Sequence, residues 1–300
     1  MIDLALAPDD VFSGVEYVLT DIDDTLTRDG RVSCEAYCAL WRLHEQGLKV
    51  IPVTGRPAGW CDLIARQWPV DAVVGENGAL VFYVENGLLT QLFHPSVQGN
   101  ESGPRLRAIA EDVYRKVPGS RPAKDQFSRM FDVAVDFREE PPYLELTNAE
   151  KIKRIFEEAG ATAKVSSIHV NAWFGQYDKL TMARYFFLNH YGVDLDDTEH
   201  NRQVLFAGDS PNDEPMFAYF RNSCAVANIA DFLPLLEKKP TYVTSLSHGQ
   251  GFAEIVERVL RSRSCRPPVE WHVTGQKTSR SGEEGIAGSE PPDVQDCDPQ

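Results

Sequence analysis

Three acidic or polar clusters stand directly after short apolar runs: Asp21-Ile22-Asp23-Asp24-Thr25, Thr54-Gly55-Arg56, and Gly208-Asp209-Ser210-Pro211-Asn212-Asp213. In an open α/β sheet, ligands bind at the carboxyl ends of the strands. The clusters are therefore expected to meet at one sheet edge, bringing Asp21, Asp23, Asp209 and Asp213 around a single pocket. Carboxylates held together repel one another unless some are protonated or a cation compensates them. Hard oxygen donors suit a hard divalent ion, and Mg²⁺ keeps water while bridging a few carboxylates and a phosphate. A carboxylate can also act as the nucleophile of phosphoryl transfer. Hydroxyl and ammonium groups of the types of Thr54 and Lys179 hold phosphoryl oxygens as charge builds on them. The plain alternative is that these are loop carboxylates capping helix N-termini.

The elements that must position the clusters are legible in outline. EYVLT (16–20) reads as a buried strand, Ser33 as an N-cap, and Ala36, Leu40 and Leu43 recur at helical spacing before Gly47. LKVIPV (48–53), a helix over 58–67 opened by Pro57, and DAVVG (71–75) complete a strand–helix alternation that signals a parallel sheet. ALVFY (79–83) and LLTQLF (88–93) flank Glu85-Asn86-Gly87, a hairpin turn. HPSVQGNESGP (94–104) reads as a linker. Beyond it the spacing predicts a helix over 104–116, a strand over 129–137, a helix over 147–159 and a strand over 164–174. The parallel pattern resumes with a helix from Lys179 to Leu188, the strand QVLFAG (203–208), the strand SCAVA, a helix over 230–237, TYVT and a helix over 252–260. The expected fold class is α/β: a doubly wound, parallel-sheet, Rossmann-like core with an inserted, smaller α+β cap domain. Expected boundaries are core 1–95, cap 96–176, core 177–262 and a disordered tail 263–300 rich in Ser, Gly, Pro, Glu and Asp.

Composition narrows the function. The 300 residues are 42% hydrophobic and 25% charged, ordinary for a globular protein. Thirty Lys and Arg against 45 Asp and Glu give a net charge of -15. So acidic a surface repels phosphate backbones and anionic lipids, so neither nucleic acid nor membrane is an expected partner. A small anionic substrate in a locally positive pocket is compatible with it. No apolar run reaches the ~18 residues of a membrane span. The start, MIDLALAPDDVFSG, lacks a basic region and carries Asp3, Asp9 and Asp10, so no secretory or transit peptide is expected. Six cysteines without a C-x-x-C pair read as reduced thiols, and a cytoplasmic setting is expected. Cys34 and Cys38, four apart on one helix, make at most half a metal site.

Four segments together resemble the haloacid dehalogenase superfamily of phosphatases. YVLTDIDDTLT resembles its first motif, D-x-D-x-T after a strand; VIPVTGR its second; Lys179 the lysine of its third; and LFAGDSPNDEPMF its fourth, G-D-S-x-N-D-x-x-M. The resemblance covers residues 16–260. The T-G-R form, the run Glu76-Asn77-Gly78-Ala79 and the position of the cap resemble subclass IIB, which includes Cof-type sugar phosphatases and sucrose-phosphate phosphatase. The chain departs from the usual D-x-D-G-T in having Asp24, and from the commoner S-K-G in having YDKLTMA.

The resemblance implies a Mg²⁺-dependent hydrolase of a small phosphorylated metabolite, with a sugar phosphate as the leading class. It gives Asp21 as nucleophile and Asp23 as proton donor and acceptor. Asp21, Asp23 through its carbonyl, and Asp209 would bind Mg²⁺, with Asp213 and Asn212 orienting its water. Thr54 and Lys179 would hold the phosphoryl oxygens. Four further residues stay open. Arg56 is either a contact to substrate or to the cap, or a surface arginine over a helix start. Asn77 either lines the pocket or shapes its turn. His169 and Asn171 alternate on a cap strand, as substrate contacts or as ordinary polar residues of a sheet face. A phosphomutase or phosphotransferase using the same aspartates, and a non-catalytic phosphometabolite-binding protein, are the competing readings.

Overall fold

A computed structural model describes residues 1–97 and 102–264. Short apolar strands alternate with helices from the start: β1 (Ile2–Asp3), β2 (Tyr17–Thr20), a small hairpin of β3 (Thr27–Arg28) and β4 (Arg31–Val32), α1 (Cys34–Glu45), β5 (Lys49–Pro52), α2 (Ala58–Gln67) and β6 (Ala72–Gly75). Ser33 caps α1 by accepting the Ala36 N–H at 3.2 Å, and Ala36, Ala39, Leu40 and Leu43 form its buried stripe. β7 (Leu80–Glu85) and β8 (Leu88–Phe93) follow as the expected hairpin. Its turn residues Asn86 and Gly87 sit at φ 52° and 76°, the double left-handed conformation that an Asn-Gly turn supplies.

The cap comprises α3 (Ser102–Lys116), β9 (Arg121–Pro122), β10 (Val133–Asp136), α4 (Leu146–Glu158), β11 (Thr162–Val165) and β12 (His169–Trp173). The chain then returns to the core with α5 (Lys179–Phe186), α6 (Thr198–Arg202), β13 (Val204–Gly208), α7 (Glu214–Tyr219), β14 (Asn222–Ala225), β15 (Tyr242–Val243) and α8 (His248–Ser264). The core sheet is parallel throughout, in the order β1-β15-β14-β13-β2-β5. β6 extends it through the parallel bridge Val53–Val74. Alternation along the strands sends Val18, Val50, Leu205 and Ala207 to the α1, α2 and α8 side, and Leu19, Ile51, Val204 and Phe206 to the α5 and α7 side. Both faces are thus covered, as in a doubly wound fold.

The cap sheet is antiparallel, β11-β12-β10-β9. Val133, Val135, Val170 and Ala172 pack under α3 and α4. The opposite face carries the polar His169 and Asn171, both buried.

Several elements differ from expectation. The single strand over 164–174 is the hairpin β11–β12, turned at Ser166, whose hydroxyl accepts the His169 N–H. The strand over 129–137 shortens to β10, because the N–H groups of Met130, Phe131 and Asp132 are committed to the Glu76 side chain and not to a ladder. The helix over 230–237 is a 3₁₀ stretch, Ala227–Leu235, interrupted by Pro234. Ser102 to Pro104, read as linker, open α3. α8 runs to Ser264, and the rest of the expected tail lies outside the described residues.

Candidate active site

β2 and β13 are adjacent and parallel, with Thr20 opposite Ala207, so Asp21 and Asp209 emerge side by side. β5 lies on the other side of β2 and delivers Thr54 through the Val53 N–H···O=C bond to Thr20, 2.8 Å. Lys179 is the first residue of α5. Asp178 caps that helix in a reciprocal box with Thr181, so YDKLTMA carries its own start signal in place of S-K-G. Gly78 lets this helix start approach, since a Cβ there would meet the Asp178 carbonyl oxygen at 2.1 Å.

Asp21, Asp209 and Asp213 are buried, with one carboxylate oxygen of each within 4.8 Å of the others. The Lys179 ammonium joins them, donating to Asp21 Oδ1 at 2.6 Å and Asp213 Oδ1 at 2.7 Å. Asp213 also accepts the N–H groups of Asp209 and Ser210. It fits there because residue 208 is glycine: a Cβ would lie 2.5 Å from Asp213 Oδ2. Asp209 accepts from Thr25 Oγ1 at 3.1 Å and Asn228 Nδ2 at 3.2 Å.

Burial pushes the Asp21 carboxyl up to about 8, with Asp213 and Asp23 adding to the rise and Lys179 opposing it. Burial, then the Asp21 and Asp213 charges, raise Asp209 well above the usual carboxylate range. Burial works against the Lys179 ammonium, but the Asp21 and Asp213 carboxylates outweigh it and its pKa is raised. Lys179 thus answers Asp21 and Asp213, while Asp209 is held by the neutral donors Thr25 and Asn228. The remaining negative charge and the all-oxygen donor set fit a hard divalent metal ion.

Asp23 points across the cleft to Arg56, accepting from Nε at 3.0 and 2.9 Å and from Nη2 at 2.8 Å. Arg56 is 2% exposed and is neither a surface residue nor a helix cover. Its Nη1 reaches into the cap, to Glu139 at 2.8 Å and Asp125 at 3.2 Å, and its guanidinium stacks 4.3 Å over Trp60. Glu139 in turn contacts His169 Nε2 at 2.8 Å. Burial opposes the charge on Glu139, but His169 and Arg56 hold its carboxyl down at about 2.

Thr54 is buried and its Oγ1 accepts the Arg56 N–H at 3.0 Å, which leaves the hydroxyl proton free to donate. Asn77 shapes its turn, at φ 55°, and its amide also lies against Gly55 and Asp132. Asn171 donates to Asp132 at 2.9 Å. His169, Asn171 and Asn212 line a small recess with Asp21, Asp23 and Arg56. The cap strand therefore does face the acidic centre. Asp24 adopts φ 58°, which explains why glycine suits that position.

The sequence reading missed the buried charges that join cap to core. Glu76 accepts four backbone N–H groups, from Ala58, Met130, Phe131 and Asp132. Arg129 bridges Asp125, Asp132 and the Gly55 carbonyl. Long-range pairing of this kind leaves no periodic signal. Thr25 was legible only as a motif letter, and its hydroxyl orients Asp209. Cys34 and Cys38 are exposed with sulfurs 3.9 Å apart; among the described residues only the Asp21, Asp209 and Asp213 group has the density of donors for a metal.

Residues 18–97 match the family model of haloacid dehalogenase-like hydrolases. Over 247 residues, 81% of this chain and 98% of the relative, the chain is 28% identical to a phosphoglycolate phosphatase of Methanothermobacter thermautotrophicus. A crystal structure from Thermoplasma acidophilum superposes with a TM-score of 0.63 at 20% identity, covering 82% of this chain and 99% of that one. A subclass IIB sugar phosphatase superposes at 0.58 and 14% identity, covering 82% and 100%. The family match over residues 18–97 and the phosphatase relative together support a haloacid dehalogenase-like hydrolase of the phosphatase and phosphotransferase kind. Its core and inserted cap have the fold seen in subclass IIB.

Proposed function

We propose that the chain is a Mg²⁺-dependent phosphomonoesterase that hydrolyses a small phosphorylated metabolite, with a sugar phosphate as the leading class. The observation that carries this reading is the meeting of Asp21, Asp209 and Asp213, from remote parts of the sequence, at one sheet edge, with Lys179 bonded to Asp21 and Asp213. Asp21 and Asp209, with the Asp23 carbonyl, would hold Mg²⁺, and Asn212 and Asp213 would orient its water. The bound ion would neutralise charge on the phosphoryl oxygens and hold them in line.

An Asp21 carboxylate oxygen attacks phosphorus and forms an aspartyl-phosphate as the ester P–O bond breaks. Asp23 gives a proton to the departing alkoxide. It then takes one from water, which attacks the phosphorus, releases inorganic phosphate and restores Asp21. To carry that proton Asp23 must part from Arg56, which now holds it by three hydrogen bonds. Thr54 and Lys179 hold the phosphoryl oxygens. The cap excludes other water.

Water as acceptor is favoured over a second substrate by the cap's cations. Arg115 and Lys116 pair with Asp112, Arg121 with Asp136, and Lys124 with Glu140, so these groups are committed elsewhere. The phosphoglycolate phosphatase relative and the sugar phosphatase fold offer two substrate classes, both small phosphoesters. The four described cysteines are free thiols, which supports the cytoplasmic setting, and among the described residues no helix is long and apolar enough to cross a membrane.

The purified chain should release phosphate from p-nitrophenyl phosphate with Mg²⁺ and stop in EDTA. Asp21→Ala should abolish turnover with an unchanged circular dichroism spectrum. Full activity in EDTA, or in Asp21→Ala, would refute the mechanism.

A further inference from the structure

Outward from Asp23 the recess opens into a cleft of about 660 Å³ between the D-x-D loop, the 228–232 stretch and the cap. On the phosphatase reading, this is the space that a leaving group occupies. Most charges on its wall are already answered. Asp23 and Glu139 are paired with Arg56, Glu140 with Lys124, and Asp209 belongs to the acidic centre. What remains on the wall is Asp24, Asp29 and Asp231 against the guanidinium of Arg138 and the imidazole of His248, whose Nδ1 lies 3.2 Å from the Asp24 carbonyl oxygen.

Asp24 is the nearest of these in sequence to the nucleophile. Its backbone takes φ 58°, a conformation that favours glycine, so the carboxylate is present despite the backbone and not because of it. Its carbonyl is fixed by Asn228 Nδ2 at 3.0 Å, and Ser167 of the cap lines the same cleft. The loop is thus anchored, and the side chain is held at the cleft wall. Asp24 is half-buried, so its charge is less screened than those of Asp29 and Asp231, which are exposed.

We propose that Asp24 is a specificity-determining residue: with Asp29 and Asp231 it disfavours phosphoesters whose leaving group carries a second anion and admits neutral or cationic ones. The inference rests on the phosphatase reading above. It separates this chain from its phosphoglycolate phosphatase relatives, whose named substrate keeps a carboxylate beside the phosphoester.

The test compares glycerol 3-phosphate with 3-phosphoglycerate, which differ in a hydroxymethyl group against a carboxylate. The ratio of their kcat/KM values is measured with Mg²⁺ for the wild-type chain, Asp24→Asn and Asp24→Gly. The wild-type chain should favour glycerol 3-phosphate by about tenfold or more, as expected for a close like-charge contact in a partly screened cleft. Both variants should narrow that ratio, and Asp24→Gly suits the backbone, so misfolding is not expected to obscure the result. A ratio unmoved in both variants, or a wild-type preference for 3-phosphoglycerate, would overturn the assignment. Turnover of p-nitrophenyl phosphate by the wild-type chain is the separate control on the phosphatase reading, and its absence would overturn both.

Discussion

Metal-free protein should lose stability as pH rises through neutrality, the reverse of ordinary acid unfolding. The cause is Asp21, whose carboxyl is pushed up to about 8 in the folded chain by burial and then by its acidic neighbours. In the unfolded chain the same group titrates at about 4. Between these values the folded chain holds a proton that the unfolded chain has released. The contribution to stability is therefore complete below pH about 4 and is lost as pH rises through about 8. At about 1.36 kcal/mol per pK unit, the part lost between pH 5 and 8 is about 4 kcal/mol. Asp209 is raised for the same reasons and acts in the same direction. Glu139 is held at about 2, so its contribution is lost only as pH falls from about 4.5, outside this window. Against a total folding stability of about 5–15 kcal/mol, such a loss is large. Urea unfolding followed by circular dichroism at pH 5, 6.5 and 8 measures it directly. In EDTA the unfolding free energy should fall by about 4 kcal/mol across that range. With Mg²⁺ at a hundred times its Kd, the ionised cluster should regain about 2.7 kcal/mol at pH 8. Asp21→Asn should reduce the slope in EDTA. Stability that is flat or rises from pH 5 to 8 in EDTA would refute the argument that this carboxylate cluster is overcharged.

Two further outcomes follow from the buried charges. Lys179→Met strands Asp21 and Asp213 without their ammonium and should cost about 3–5 kcal/mol in EDTA, less with Mg²⁺, and abolish phosphate release; a cost under about 1 kcal/mol would show that the pairing is unimportant. Glu76→Gln keeps one accepting oxygen and turns an NH₂ toward two backbone N–H groups, so two buried donors lose their acceptor at about 1–3 kcal/mol each. It should lower the Tm by several degrees in a thermal melt, and an unchanged Tm would mean that Glu76 does not latch the cap.

What could be read from the sequence, and what could not, divides along the range of the interactions. The parallel core was legible because each strand is an apolar run ending in a polar cluster, and such runs allow little besides a sheet covered on both faces. The acidic centre was legible for the same reason: strand order sets which clusters are neighbours, and Asp21 and Asp209 are one strand apart. The alternation of His169 and Asn171 correctly placed both on one sheet face, but it could not say that this face looks toward Asp21. That depends on how the cap seats, and the seating is decided by Glu76, Arg129 and Arg56, whose partners lie many residues away and share no spacing rule. Arg56 shows the consequence most sharply. By type and position it suited a contact to substrate or cap and a solvated helix start equally. Its actual place, between Asp23 of the core and Glu139 and Asp125 of the cap, follows only when three separate segments fold onto one another. The same arginine thus holds the proposed proton carrier and the cap together. A movement that parts Asp23 from Arg56 would therefore also touch one of the contacts that seat the cap, beside those made by Glu76 and Arg129.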